Sequence, residues 1–328
     1  MNRDTILLNQ SEVLAVLDMR GALSAVDDIF RLHGRRQVQM PPKVYLDLPG
    51  GDVRAMPAYA EPVGFASVKN INMHPGNRDV PSIVGTLTLF EPQTGFPLAI
   101  MDATAITRMR TGAASAVATR LLARADAEVL SMIGAGNQAL TQLEAIMLVR
   151  PRIEHVVIFD LDSERATAFA RTATDRFGVV VRIAGSAEEA VRAADILTTI
   201  TPARSPIVEQ EWVKPGTHIN AIGADAAGKQ ELASSLTASA RVIVDDLEQA
   251  THSGEINVPL SQSVFDASDI YAELGHVVAG VKPGRQNSTD ITIFDSTGLA
   301  LQDLACAAHV YRKLTASGQE LRRFDFLA

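Results

Sequence analysis

Apolar and polar residues follow two different patterns along this chain, and the change comes near residue 125. Before it, the pattern predicts helices over 11–17 and 21–33 and then several short extended segments. The extended segments are 43–48, 53–56, 65–71, 83–90 and 97–101. Gly50-Gly51 fits a hairpin turn between the first two of them. A long alanine-rich helix over 103–123 then leads into the second part of the chain.

After residue 125, short apolar runs alternate with helical segments. The predicted strands end at Ile133 or cover 155–160, 179–183, 195–202, 218–223 and 241–246, and the predicted helices cover 138–149, 163–177 and 187–194. Continuous apolar strands separated by helices indicate a parallel sheet that is covered on both faces. We therefore predict an α/β fold with a doubly wound, Rossmann-type domain over 126–298. A last helix over 299–314 returns to the first domain, which makes 1–125 plus 299–328 a discontinuous α+β domain.

A glycine-rich turn follows the first apolar run of the second part. The segment Gly134-Ala-Gly136-Asn-Gln-Ala139 reads G-x-G-x-x-A between a strand and an amphipathic helix, which is the dinucleotide fingerprint. Gly134 permits the tight turn, Gly136 lets a pyrophosphate approach the backbone, and Ala139 lets the helix pack closely. The N-terminus of the helix then offers N–H groups to the phosphates.

The next strand supports this interpretation, because it ends in an acid. Asp160 lies 24 residues after Gly136, close to where a carboxylate hydrogen-bonds the adenosine ribose of NAD. A carboxylate there would repel the 2′-phosphate of NADP, so NAD is the expected cofactor. The alternative is that Asp160 only caps the following helix, a role that Asp162 also fits.

Composition narrows the class of protein. A length of 328 residues predicts about two domains. The net charge of −8 provides no basic surface for nucleic acid, and no apolar run approaches the roughly 18 residues that span a bilayer. Cys306 is the sole cysteine, so we expect a reducing cytoplasm and a buried, unreactive thiol. The histidines lack metal-ligand spacing, and no metal site is expected.

A few charged residues are candidates for chemistry. Lys43 and Lys69 lie in the extended part of the first domain. A buried lysine can act as a base near neutral pH, whereas a strand lysine can instead extend its ammonium to solvent. Arg54 and Arg110 lie among small or apolar residues, which suggests a buried anion partner; a surface salt bridge is the alternative. Asp225 follows a strand at the sheet edge where ligands bind, or caps the next turn.

Several segments together resemble the ornithine cyclodeaminase/μ-crystallin family over nearly the whole chain. They include Met40-Pro-Pro-Lys-Val-Tyr45, Arg54-Ala-Met-Pro57, Lys69 with His74-Pro-Gly-Asn77, Arg110-Thr-Gly-Ala-Ala114, Gly228-Lys-Gln-Glu-Leu232 and Phe294-Asp-Ser-Thr-Gly298. Within the family, they are most similar to the archaeal-type alanine dehydrogenases. The resemblance implies a homodimer whose discontinuous domain holds the substrate and the dimer interface.

The resemblance also implies roles for individual residues. Lys69 would be the catalytic acid/base, Asp225 the catalytic acid that faces the amino group, and Lys43, Arg54 and Arg110 the groups near the substrate carboxylate. The positions expected around NAD are Arg110, Thr111, Gly134, Gly136, Asn137, Gln138, Asp160, Thr201, Gly223, Ala224 and Ser296.

One departure from the family pattern bears on the substrate. Ornithine cyclodeaminases have an acid where this chain has Arg54, and a guanidinium there would repel the second ammonium of a diamino acid. We therefore expect NAD-dependent oxidative deamination of a small L-amino acid, L-alanine to pyruvate and ammonia. The alternatives are a cyclodeaminase-type lyase with catalytic NAD, a ketimine or cyclic-imine reductase, and a ligand-binding protein of the crystallin type.

Overall fold

The computed structural model describes residues 4–328, which divide into two compact units. The first unit is Met1–Arg110 with Leu299–Ala328, and the second is Thr111–Gly298. The chain therefore leaves the first unit once and returns to it. We predict that the first unit binds substrate and that the second unit binds NAD.

The first unit is built on one large mixed sheet. Its elements are β1 (Asp4–Leu8), α1 (Gln10–Leu14), α2 (Met19–Gly34), β2 (Val44–Leu48), β3 (Gly51–Ala60), a 3₁₀ turn (Glu61–Val63), β4 (Phe65–Met73), β5 (Ile83–Phe90), β6 (Pro97–Asp102), the start of α3 (Ala103–Leu122), and, after the second unit, α11 (Ala300–Ala316) and β17 (Arg323–Asp325). The strand order is β17-β1-β6-β5-β4-β3-β2.

Alternation along β3 to β5 gives this sheet one covered face. Met56, Lys69 and Leu87 are cross-strand neighbours and all are buried. Helix α11 packs on β3, β4 and β5 and against α2, and so covers that face. The predicted hairpin is confirmed: Gly50, at φ +80°, turns β2 back into β3.

The second unit contains an eight-stranded sheet with helices between its strands. Its elements are β7 (Val129–Ile133), α4 (Ala139–Val149), β8 (His155–Phe159), α5 (Ser163–Phe177), β9 (Val180–Ile183), α6 (Ala187–Ala193), β10 (Ile196–Thr199), β11 (Arg204–Val208), a 3₁₀ turn (Gln210–Trp212), β12 (His218–Ala221), β13 (Gln230–Leu232), α7 (Ser234–Ser239), β14 (Arg241–Val244), α8 (Leu247–Ser253), α9 (Asn257–Ser261), a 3₁₀ turn (Ala267–Asp269), β15 (Ala272–Glu273), α10 (Leu274–Val278) and β16 (Thr292–Asp295).

All neighbouring strands of this sheet are parallel, in the order β15-β14-β16-β12-β10-β7-β8-β9. The chain builds outward from β7 through β8 to β9 in one direction and from β10 to β12 in the other, and β16 is inserted between β12 and β14. The order reverses between β7 and β10, which creates the crevice where open α/β sheets bind ligands. β11 and β13 form a separate two-stranded parallel sheet.

The predicted α/β class with a doubly wound parallel sheet is confirmed, and the element boundaries move by a few residues. Helix α1 ends at Leu14 rather than at residue 17, and β10 ends at Thr199 rather than at residue 202. The strands β1, β11, β13 and β15–β17 and the short helices α7–α10 were not predicted. Most are too brief to show a period, and some, such as β1, are stabilised by pairing with strands that lie far away in the sequence.

Among residues 4–328, no helix is both long and apolar enough to cross a membrane.

Candidate active site

Lys69 is enclosed in the first unit. It lies in the middle of β4 on the face that α11 covers, and only 1% of it is exposed. Its Nζ lies 2.7 Å from Asp303 Oδ2 and donates to Thr107 Oγ1 at 3.3 Å. The alternative in which the ammonium extends to solvent is therefore wrong.

Burial has a large effect on this amine. Loss of hydration lowers the pKa of Lys69 from 10.5 to about 7. The carboxylate of Asp303 opposes the shift by its charge and hydrogen bond, whereas the positive charges of Arg110 and Lys43 lower the pKa further. The cross-strand neighbours Met56 and Leu87 are uncharged. An amine with this pKa exchanges a proton near neutral pH, as general acid–base chemistry requires.

Asp303 connects Lys69 to Arg110. Arg110 is 7% exposed; its Nε donates to Asp303 Oδ1 at 3.2 Å and a terminal nitrogen donates to Gln302 Oε1 at 3.1 Å. The buried anion partner predicted for Arg110 is thus a carboxylate of the protein itself. Sequence reasoning missed Asp303 and Gln302; the available signal was an acid inside an otherwise apolar helix.

Arg54 also has a carboxylate partner within the chain. Its Nε and a terminal nitrogen each donate to one oxygen of Asp52 at 3.0 Å, and its guanidinium carbon lies 5.5 Å from the centre of the Tyr45 ring. Arg54 shares the covered face with Lys69, as its diagonal cross-strand neighbour. Because Asp52 balances the guanidinium, Arg54 repels a second ammonium less than the sequence argument assumed.

The sole cysteine lies close to these charges. Cys306 is fully buried, as predicted, and burial raises the pKa of its thiol. A thiol of raised pKa stays protonated and unreactive near neutral pH. Cys306 therefore acts as packing.

The glycine turn of the second unit has the predicted strand–turn–helix context. Gly134 has φ +107°, and a Cβ there would lie 2.8 Å from the carbonyl oxygen of Ile200, so only glycine fits. A Cβ on the exposed Gly136 would meet nothing within 4 Å. Asn137 and Gln138 complete the turn, and no side chain caps the N-terminus of α4. The first backbone N–H groups of a helix lack intrahelical partners, so this helix end can donate to an anion beside Gly136.

A cavity of 730 Å³ opens at this edge of the sheet, within the size range of ligand sites. Its walls include Gly134, Gly136, Asp160, Arg165, Thr201 and Trp212. The carboxyl ends of β7, β8 and β10 meet here, at the reversal of strand order. The structure therefore brings four of the predicted cofactor residues to one cavity.

Asp160 is held by the glycine turn rather than by the next helix. One oxygen accepts a hydrogen bond from Ala135 N at 2.7 Å and the other from Asp162 N at 2.9 Å. Asp162 caps α5 by accepting from Glu164 N and Arg165 N. The alternative that Asp160 is the helix cap is thus wrong. Each carboxylate oxygen has a second lone pair and can also accept a ribose hydroxyl.

The other predicted cofactor residues belong to the second unit, except Arg110, which is in the first unit. Thr201 and Gly223 follow β10 and β12, Ala224 is buried beside Gly223, and Thr111 is buried on α3. Ser296 follows β16, and its buried hydroxyl makes no hydrogen bond to the protein. A buried hydroxyl without a protein partner suits a ligand. Thr201 lines the cavity, and that the other residues contact the cofactor stays a prediction.

Asp225 follows Ala224 and has a basic partner. Its Oδ1 accepts a hydrogen bond from Lys229 Nζ at 2.5 Å, and Lys229 is 9% exposed. Asn257 accepts a hydrogen bond from Gly228 N and donates one to the carbonyl of Lys229, which holds this turn in place. Asp225 is therefore a fixed carboxylate.

Comparison with known proteins shows which family and which individual proteins this chain is similar to. The sequence pattern of the "Ornithine cyclodeaminase/mu-crystallin family" matches residues 3–318. Alanine dehydrogenase of Archaeoglobus fulgidus is 48% identical over 310 residues, which cover 94% of each chain.

Two solved structures have the same fold. An archaeal alanine dehydrogenase dimer with bound NAD aligns with a TM-score of 0.95 at 46% identity, over 99% of this chain and 100% of that one. The Δ1-pyrroline-2-carboxylate reductase of Thermococcus litoralis, in complex with NADH and L-proline, aligns with a TM-score of 0.93 at 36% identity, over 96% and 98%. These similarities support an NAD-dependent dehydrogenase or reductase.

The buried amine makes a prediction about stability that does not depend on activity. Between about pH 7 and 10.5, Lys69 is protonated in the unfolded chain but neutral in the folded one, so the unfolded state binds more protons and folding stability rises with pH. We expect the free energy of unfolding of wild type, relative to Lys69→Met, to increase by up to about 1.4 kcal/mol per pH unit. Below about pH 7, where both states are protonated, the difference is constant.

Urea titrations of both proteins at a series of pH values measure this difference, and groups common to both cancel. A difference that stays constant from about pH 7 to pH 9 contradicts a lowered pKa for Lys69.

Proposed function

We propose that this chain, which belongs to the ornithine cyclodeaminase/mu-crystallin family, catalyses the reversible NAD-dependent oxidative deamination of a small L-amino acid, L-alanine to pyruvate and ammonia. The observation that carries the proposal is the buried Lys69. Burial lowers its pKa to about 7, and its ion pair with Asp303 keeps the pKa from falling further. A protein that only binds a ligand has no need of a buried amine that exchanges protons near neutral pH.

We assign the cofactor to the carboxyl edge of the sheet in the second unit. The N–H groups of the turn at Gly136 and of the N-terminus of α4 would bind the phosphates. Asp160 would accept hydrogen bonds from the adenosine ribose, and its charge disfavours a 2′-phosphate, hence NAD rather than NADP. The proposed cofactor set is completed by Arg110, Thr111, Asn137, Gln138, Thr201, Gly223, Ala224 and Ser296.

In the proposed reaction, NAD supplies the acceptor for the hydride that leaves Cα of the amino acid. Lys43, Arg54 and Arg110 bind the substrate carboxylate, and Asp225 is the acid assigned to the amino group. Neutral Lys69 takes a proton from water as the water attacks the iminium carbon, and then protonates the departing ammonia. The reaction consumes one water and yields the keto acid, ammonium, NADH and a proton.

A cyclic-imine reductase is the second candidate, because the Thermococcus litoralis relative has that activity and binds L-proline. The same cations would hold the carboxylate of a cyclic imino acid. A lyase that recycles NAD remains the third, since Asp52 balances Arg54 and so lessens the repulsion of a diamino acid.

A substrate screen distinguishes these activities. The purified protein is incubated with NAD and each common L- and D-amino acid or L-ornithine, and separately with NADH and Δ1-pyrroline-2-carboxylate. We expect NADH to accumulate, by absorbance, with L-alanine and other small L-amino acids. Ammonia release from ornithine without net NADH would instead indicate the lyase, and turnover of the cyclic imine alone the reductase.

Loss of Lys69 should separate catalysis from cofactor binding. We expect Lys69→Ala to abolish turnover of L-alanine while retaining NADH binding, measured by fluorescence, because all the proposed cofactor residues except Arg110 lie in the other unit. Near-normal turnover in this variant rules out the proposed acid/base.

Asp303→Asn tests whether Asp303 raises the pKa of Lys69. Removing the carboxylate removes the charge that raises the pKa of Lys69, so the pKa falls below its present value of about 7. Because oxidative deamination needs neutral Lys69, the loss of kcat on acidification should move to lower pH than in wild type. An acid limb that does not move would show that Asp303 has no influence on the proton affinity.

We also propose a homodimer formed through the first unit. On the sheet face opposite α11, Leu46, Val53 and Val84 lie in one cross-strand row with Asn72, and Leu46 and Val84 are 60% and 41% exposed. An open apolar face of this kind is typical of an interface. The archaeal structure described above is a dimer.

Sedimentation equilibrium should give a dimer for wild type and a monomer for Leu46→Asp, because a carboxylate is strongly disfavoured in an apolar interface. Val180→Asp is the matched control, since Val180 is a strand residue of the second unit with 62% exposure. A monomeric wild type, or a dimeric Leu46→Asp, overturns this assignment.

A further inference from the structure

Glu231 is a fully buried acid in the second unit that none of the roles above uses. Its two carboxylate oxygens accept four hydrogen bonds: from Thr199 Oγ1, Thr201 N and Thr201 Oγ1 at 2.7 Å each, and from Gly223 N at 2.8 Å. A carboxylate has about four lone-pair sites, so its accepting capacity is filled. The side chain serves entirely to hold other groups.

The groups that Glu231 holds are the ends of two adjacent parallel strands. Thr199 and Thr201 lie at and just after the end of β10, and Gly223 lies just after β12. A Cβ on Gly223 would lie 2.1 Å from the carbonyl oxygen of Thr201 and 2.6 Å from Glu231 Oε2. The two loops and the carboxylate thus pack too closely for a side chain at residue 223, so glycine is required there.

These loops also form part of the candidate cofactor site. Thr201 lines the cavity, and its Cγ2 would lie 3.2 Å from a Cβ on Gly134. In a doubly wound fold, one half of the sheet binds each mononucleotide. Here β7 and β8, with Gly134 and Asp160, belong to the adenosine half, so β10 and β12 belong to the nicotinamide half. Thr201 lies where the two halves meet, because it lines the same cavity as Gly134 and Asp160.

We propose that Glu231 is a positioning residue, which fixes the ends of β10 and β12 so that they bind the nicotinamide half of NAD. The inference rests on the proposed cofactor assignment. It adds a residue that does not contact the cofactor itself but holds the loops that do. Its effect should fall more heavily on the nicotinamide half than on the adenosine half, which shares only Thr201 with these loops.

A second buried acid supports Glu231 from the other side. Glu255 Oε1 accepts hydrogen bonds from Glu231 N at 2.9 Å and from Leu232 N at 2.6 Å. Asp295, at the end of β16, in turn accepts from Glu255 N and Ile256 N. Glu255 therefore fixes the backbone at Glu231, and the side chain of Glu231 in turn fixes the two loops.

Glutamine has the same shape as glutamate but cannot make the same contacts. One of its two terminal atoms is an NH₂ group, which donates and would face the backbone N–H of either Thr201 or Gly223. The hydroxyls of Thr199 and Thr201 can rotate to accept, whereas a backbone N–H cannot. In Glu231→Gln, one loop end therefore loses its acceptor.

The test compares two probes on each protein: NADH by fluorescence titration and ADP, which lacks the nicotinamide half, by calorimetry. We expect Glu231→Gln to raise the Kd of NADH about tenfold or more, as for a buried N–H left without an acceptor, with a clearly smaller rise, or none, in the Kd of ADP. Equal weakening of both ligands, or an unchanged Kd for NADH, overturns the proposal.

Asp195→Asn is the matched control. Asp195 is also a carboxylate that accepts from backbone N–H groups, of Glu128 and Val129 at 3.1 Å, but it lies at the amino edge of the sheet. We expect Asp195→Asn to lower the melting temperature without changing the ratio of the Kd of NADH to the Kd of ADP. A changed ratio would mean that general destabilisation accounts for the Glu231→Gln result.

If Glu231→Gln does not fold, Thr199→Val takes its place. Valine matches the shape of threonine and removes one donor to Glu231, so the Kd of NADH should rise severalfold and that of ADP stay constant; an unchanged Kd for NADH overturns the inference. A wild type that fails to bind NADH refutes the cofactor assignment itself, which keeps the two failures distinct.

Discussion

The contact between Lys69 and Asp303 is the constraint on which the first unit depends. An ammonium that is 1% exposed is strongly destabilised by the loss of water, and only a buried carboxylate at 2.7 Å offsets this. Desolvation still outweighs the pairing, and the balance leaves the pKa of Lys69 near 7. Asp303 binds Arg110 as well, so one carboxylate both tunes the amine and orients the guanidinium beside it.

Buried carboxylates in the second unit bind different partners. Glu231, Glu255 and Asp295 are fully buried and, like the half-buried Asp160, accept hydrogen bonds from backbone N–H groups. Such contacts fix loops without introducing a competing cation. The Lys69–Asp303 pair of the first unit thus sets proton affinity, whereas these acids of the second unit set loop geometry. The division suits a reaction in which one part exchanges protons and the other holds a dinucleotide.

Local patterns predicted much of this architecture. The alternation after residue 125 indicated the parallel sheet, and the helix over 163–177 was predicted with both of its ends correct. The glycine turn and the acid at the end of the next strand were also read from spacing alone, because β7, the turn, α4 and β8 follow one another directly in the chain. Where the structure depends on neighbours in sequence, periodicity and turn chemistry are sufficient.

The sequence by itself determined the fold class, the glycine turn and the candidate cations Lys43, Arg54, Lys69 and Arg110. Only the tertiary structure decided that Lys69 is buried and that Asp303, 193 residues after Arg110, is the partner of both. It also decided that Glu231 joins β10 to β12. The physical reason is that burial and long-range pairing arise when distant segments pack, and neither one leaves a period in the sequence around the residue concerned.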